Sequence, residues 1–215
     1  MKNILFVESS PRKEKSITSD VCQKVIRNLQ IGGDYIVDHV DLWDVELPPM
    51  NGDTLDAKYA IFSGQELTAQ QQASWFALTE HIDRFAAADL VIIAAPTWIW
   101  GIPYVLKHYI DVVTQPQLTF NWTPEDGFTS LLKPRNAVLV TSSGGDYTLG
   151  SGNEDEDFVI KYLKLWLKTC MGCELKMINM TLSAAGEEEL QKSYVQADEK
   201  IDEICNLMNS VEALI

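Results

Sequence analysis

A chain of 215 residues, 46% hydrophobic and 22% charged, is long enough to bury one sizeable core and fits a single soluble α/β domain spanning 1–215, without a second domain. A formal net charge of -14, with no basic run or interleaved basic and aromatic patch, excludes a protein whose main task is neutralising nucleic-acid phosphates. The longest strongly apolar run, Leu90 to Pro96, is too short to cross a bilayer, and Met1, Lys2, Asn3 lead straight into a strand pattern, so a cytoplasmic protein is expected.

The first predicted strand is Ile4 to Glu8, followed by a loop crowded with hydroxyls and cations: Ser9, Ser10, Pro11, Arg12, Lys13, Glu14, Lys15, Ser16, Ile17, Thr18, Ser19. A helix from about Ser16 to Leu29 follows, its Val21, Val25, Ile26 and Leu29 at helical spacing. The loop thus lies where free backbone N–H groups and the helix dipole favour an anion such as phosphate, although the same residues also serve as ordinary N-caps. Further strands are expected at Ile36 to Val40, Leu90 to Ala95, Ala137 to Thr141 and Leu175 to Met180. Further helices are expected at Ala69 to Ala87, Pro103 to Val113, Asp155 to Lys168 and Glu187 to Met208.

This alternation predicts a doubly wound α/β fold: a five-stranded parallel sheet of order 2-1-3-4-5, covered on both faces, binding ligands at the carboxyl ends of its strands. The loops after strands one, three and four should then meet. The third-strand loop reads Pro96, Thr97, Trp98, Ile99, Trp100, Gly101, Ile102, Pro103, whose indoles offer a flat apolar wall. The fourth-strand loop, Thr141, Ser142, Ser143, Gly144, Gly145, Asp146, can bring N–H donors to a carbonyl edge. Tryptophans that plug a core and glycines that merely turn the chain are the plainer alternatives. A phosphate, a planar aromatic system and a carbonyl-rich edge together describe flavin mononucleotide (FMN); neither a GxGxxG after the first strand nor a P-loop is present.

Cys170, Met171, Gly172 and Cys173 match a CxxC pattern but follow a helix instead of opening one, so buried structural cysteines are expected, with Gly172 ending the helix. The acidic runs Glu154 to Asp157 and Glu187 to Glu189 are expected at helix N-termini. His39, His81 and His108 show no local pattern of a triad or metal site, and His108 is expected to be structural.

Over nearly its whole length the chain resembles the FMN-dependent NADH:quinone oxidoreductases, or NADH-azoreductases, of bacteria. The family's paired serines and Ser-x-Ser phosphate clasp correspond to Ser9 and Ser10, then Ser16, Ile17 and Thr18. Its Pro-Met-Tyr-Asn-Phe loop and Leu-Lys-x-x-x-Asp helix correspond to Pro96 to Trp100, then Leu106, Lys107 and Asp111. Its Thr-Phe segment and acidic Gly turn correspond to Thr119 and Phe120, then Glu125, Asp126 and Gly127, and its Thr-Ser-Arg-Gly-Gly loop to Thr141 to Gly145. The chain departs from the pattern in having Trp98, Ile99, Trp100 for Tyr-Asn-Phe and Ser143 for Arg. The Gly101 to Lys107 stretch also looks like that of the broader NAD(P)H-dependent FMN reductases.

The resemblance implies that FMN is held by Ser10, Ser16, Ile17, Thr18, by Thr97, Trp98, Ile99, Trp100, and by Ser142, Ser143, Gly144, Gly145. It implies NADH or NADPH as co-substrate, a quinone or azo compound as acceptor in ping-pong turnover, and a homodimer in which Phe120 covers a neighbour's substrate site, although a buried hairpin phenylalanine is the simpler account of that residue. No side-chain acid or base and no metal is required, since the flavin carries the chemistry. The rival readings are a flavodoxin-type electron carrier without nicotinamide turnover, a serine hydrolase using Ser9 or Ser10, and a scaffold that has lost its flavin. Against the carrier, the segment Trp43 to Ala69 exceeds what such a protein needs and is expected to build a substrate pocket or a dimer arm. The hydrolase lacks a GxSxG elbow.

Overall fold

The computed structural model describes residues 1–212, the last three of these by backbone alone. Seven strands and six α-helices occur among them: β1 (Lys2–Glu8), α1 (Ile17–Gly32), β2 (Tyr35–Asp41), α2 (Gly52–Phe62), α3 (Ala69–Ala87), β3 (Leu90–Pro96), α4 (Tyr104–Val113), β4 (Phe120–Thr123), β5 (Gly127–Ser130), β6 (Arg135–Ser142), α5 (Phe158–Leu165), β7 (Cys173–Met180) and α6 (Glu187–Glu212). Five strands form one parallel sheet in the order β2-β1-β3-β6-β7, while β4 and β5 pair antiparallel as a separate hairpin. The expected order therefore holds, with the hairpin inserted between the third and fourth strands of the sheet.

The central strands are buried along almost their whole length because both faces are covered, which is why they read as unbroken apolar runs. Ile4, Phe6, Ile92, Val138 and Val140 pack beneath α1 and α6, and Leu5, Val7, Val91, Ile93 and Leu139 beneath α3, α4 and α5. A one-residue slip of β1 or β3 would exchange the two sets and mismatch both helical layers.

Caps set the helix starts. Ser16 accepts from Ser19 N at the head of α1, and Thr68 and Gln71 form a reciprocal capping box at α3. Both acidic runs lie at helix starts as expected: Glu154 to Glu156 form a 3-10 turn before α5, whose Asp157 caps Ile160 N, and Glu187 to Glu189 fill the first turn of α6. The helix expected over Asp155 to Lys168 is instead this turn, then α5, then a π-helical stretch, Trp166–Cys170. Gly172 follows in the left-handed region at φ 65°. All four cysteines are free; Cys22, Cys173 and Cys205 are buried and Cys170 half-buried. Burial raises the thiols of Cys170 and Cys173, the latter to about 11, the opposite of redox activation. No helix among the described residues is long and apolar enough to cross a membrane.

Candidate functional site

The carboxyl ends of β1, β3 and β6 are brought together by the sheet register: Glu8 lies opposite Ala94, and Pro96 opposite Ser142. The loops that leave them are cross-tied. Ser9 N and Oγ both donate to Ala94 O, and Thr97 N donates to Ser142 O. Ser9 is thus a fastener between strands, and neither Ser9 nor Ser10 has a histidine partner among the described residues, which removes the geometry a hydrolase would need.

The first loop offers a small polar pit. Ser10, Ser16 and Thr18 are all buried, and the Ser16 and Thr18 hydroxyls lie 3.2 Å apart at the N-terminus of α1. Ser16 Oγ satisfies Ser19 N, but the first-turn N–H groups of Ile17 and Thr18 have no intrahelical acceptor. Two buried hydroxyls and two free N–H groups at the positive end of a 16-residue helix form an anion-binding arrangement. Lys13 turns away from it, toward Asp41 and Asp44.

The third-strand loop is a tight two-residue turn. Trp98 N donates to Gly101 O and Gly101 N to Trp98 O, with Ile99 at φ 46° and Trp100 at φ 60° between them. Left-handed backbone at two successive non-glycine residues is costly, most of all at β-branched Ile99, whose side chain is 88% exposed. Trp100 Nε1 donates to Glu156 Oε2 at 3.1 Å, which ties this loop to the turn before α5.

The fourth-strand loop is pinned from behind. Ser143 N donates to Met180 O, Ser183 N and Oγ donate to Ser143 O, and Leu182 N donates to Gly145 O. The Gly144 and Gly145 N–H groups find no acceptor among the described residues. A Cβ on Gly144 would come within 3.3 Å of Ala184, and one on Gly145 within 3.3 Å of the Tyr147 ring, so a larger residue at either position needs its neighbour to give by a few tenths of an ångström. Ser143, where the resemblance leads one to expect Arg, is turned inward and donates to Gly145 O.

Trp43, absent from the expected set, connects two of these loops. Its indole Nε1 donates to Ser9 O at 3.0 Å, and its ring lies 6.0 Å from that of Trp98 and 5.4 Å from that of Tyr104. Its signal in the sequence is position: Trp43 follows β2, which neighbours β1, so its loop leaves the same sheet edge. Phe120 lies elsewhere. It sits on the hairpin against Phe128 and lines a cavity of about 540 Å³ between α2, α4 and α5, together with Lys58, Tyr162, Trp166 and Cys170. From the segment Trp43 to Ala69, Met50, Leu55 and Lys58 line this cavity. His108 holds Pro48 O at 2.8 Å, the structural part expected of it.

The flavodoxin-like fold family matches residues 2–204. An FMN-dependent NADH:quinone oxidoreductase of Desulfotalea psychrophila is 35% identical over 168 residues, covering 78% of this chain and 79% of the relative. One from Ruegeria pomeroyi is 35% identical over 170 residues, covering 79% and 83%. Among solved structures, an FMN-dependent NADH-azoreductase from Bacillus anthracis in complex with FMN superposes with a TM-score of 0.81 at 25% identity, covering 94% of this chain and 99% of that one. With the site geometry and these relatives in agreement, the chain belongs to the flavodoxin-like family of FMN-dependent NADH:quinone oxidoreductases.

Proposed function

We propose that the protein is an FMN-dependent oxidoreductase that takes reducing equivalents from NADH or NADPH and delivers them to quinones or azo compounds, both substrates using one open face in turn. The observation that carries this reading is the convergence at one sheet edge of the buried Ser16 and Thr18 hydroxyls, the Trp43 and Trp98 rings and the free N–H groups of Gly144 and Gly145. The donor set fits FMN. Ser10, Ser16, Thr18 and the N–H groups of Ile17 and Thr18 would hold the phosphate, Thr97 to Trp100 would flank the ring, and Ser142 to Gly145 would offer N–H donors to its polar edge.

When bound, the flavin supplies the capacity to accept a hydride and pass on two electrons. The chain's own contribution is positional and electrostatic. Fixed N–H donors favour negative charge at the ring edge without reorganising at the moment of reaction. The hydrogen bonds behind Ser143 and Gly145 keep those donors in place, and the exposed turn at Ile99 and Trp100 leaves room for a flat second substrate.

We further propose a homodimer in a cytoplasmic setting, with the exposed hairpin aromatics Trp122 and Phe128 in the contact and Phe120 near the neighbour's site. The reading is tested by steady-state kinetics on purified protein with added FMN. NADH or NADPH oxidation that requires a quinone, with parallel double-reciprocal lines, is expected; no turnover with either nicotinamide would overturn it and leave a flavin carrier.

A further inference from the structure

On the α1 side of the sheet, outside the flavin edge, β1 and β2 present a second constellation. Glu8 lies directly opposite Asp41 in the parallel register and His39 is two residues before Asp41, so all three side chains project from one face of the strand pair. Their ligand atoms lie within 4.8 Å of one another, and Glu8 Oε2 is 2.9 Å from His39 Nε2. We propose that Glu8, His39 and Asp41 form a binding site for one zinc ion.

The donor chemistry suits that ion: one imidazole nitrogen and two carboxylates make a three-ligand set that leaves a position for water. Ligands about 2.1 Å from a shared zinc stand at most about 4.2 Å apart, so the three groups need only small side-chain rotations to reach it. Their surroundings orient them. Asp41 Oδ1 accepts from Trp43 N at 3.0 Å, and the His39 ring stacks on Phe6 at 4.8 Å and 12°. Such outer partners fix ligand geometry in metal sites.

Ser19 adds a polar wall beside the three. Its side chain is buried, the residue only 6% exposed, and lines the same cavity as Glu8, His39 and Asp41, with its hydroxyl directed at the Glu8 carboxylate. The cavity is open to solvent, with Glu14, Asp20 and Asp44 on its walls to attract a cation and Arg27 opposing them.

A cation already stands in part of this site. The Lys13 ammonium contacts Asp41 and Asp44, from a residue whose backbone lies in the left-handed region at φ 48°. Zinc would take over Asp41 and leave Lys13 to Asp44. That exchange replaces a half-exposed ion pair of small net worth. Binding also requires a neutral His39, so it releases a proton below the imidazole's pKa. The inference does not depend on the flavin reading.

The test uses the full chain, stripped with chelator and titrated with zinc chloride by calorimetry and by competition with a chromophoric indicator. One ion per chain is expected, with affinity lowered more than about tenfold in His39→Ala and in Asp41→Asn. Lys13→Gln is expected to tighten binding, an outcome that damaged folding cannot mimic. No saturable binding, binding indifferent to His39→Ala and Asp41→Asn, or weaker binding by Lys13→Gln would each overturn the proposal.

Discussion

Replacing Thr18 by Val removes one hydroxyl from the proposed phosphate pit and little else. Thr18 is fully buried in the first turn of α1 and β-branched like its replacement, so the packing volume is retained. The helix cap is untouched, because the bond to Ser19 N comes from Ser16 Oγ, not from Thr18. The folded protein loses one hydroxyl contact, at 3.2 Å, between two groups of which Ser16 keeps its other partner, so stability should change by less than about 1 kcal/mol. A hydrogen bond to a charged phosphate is worth about 1.5–3 kcal/mol, which converts to FMN affinity weakened about ten- to a hundredfold. Quenching of flavin fluorescence measures this, with riboflavin, which lacks the phosphate, as the control ligand. Riboflavin should bind Thr18→Val and the parent equally well. FMN affinity within twofold of the parent, or an equal loss for riboflavin, would refute the assignment of this pit to the phosphate.

Ile99→Asn should stabilise the protein by about 1 kcal/mol in urea unfolding, since Asn tolerates the left-handed backbone and the exposed isoleucine forfeits little burial; a loss of stability would show that Ile99 has a packing role. Gly172→Ala should cost at least about 2 kcal/mol and lower Tm by about 4–8 °C, because a Cβ there would lie 2.7 Å from Ser130 Cβ at a left-handed φ; an unchanged melting curve contradicts this. The hydrogen bond to Glu8 raises His39 above its ordinary 6.5, while Glu8, pushed up by burial, is brought below its ordinary 4.5 chiefly by His39. The His39 contribution is therefore complete below pH 6.5 and lost as pH rises through the folded value, and the Glu8 contribution is complete above pH 4.5 and lost as pH falls through its own. Metal-free parent minus Glu8→Gln stability should thus be greatest between those limits, and an NMR titration placing His39 below 6.5 would contradict the pairing.

The parts of the fold legible in the sequence are those in which burial imposes a pattern. β1, β3 and β6 read as apolar runs because helices cover both faces, and α1 and α4 because their buried residues recur every third or fourth position. α2 escaped prediction because it buries only Thr54, Ala57 and Ala60, small side chains at a spacing of three that give no apolar stripe. A hairpin is suggested only at Phe120, and its two strands give no pattern because each is four residues long with no buried residue. Both elements matter to the second cavity, so that cavity was invisible from the sequence although Phe120 was singled out.

The flavin edge was legible for a different reason, since a parallel sheet turns loops distant in sequence into neighbours and unusual residues then reinforce one another. The loops after β1, β3 and β6 reinforce one another in this way, whereas Trp43, whose indole joins Ser9 to Trp98, lies beyond β2 and has no such company in the sequence. Glu8 is likewise separated in sequence from His39 and Asp41, which lie two residues apart on β2 while Glu8 lies on β1. The hydrogen-bond partner of His39, Glu8, is 31 positions earlier and is reached through register alone. Topology read from alternation therefore predicts which loops meet. Only register shows which side chains on adjacent strands share a face, and the zinc constellation is a product of register.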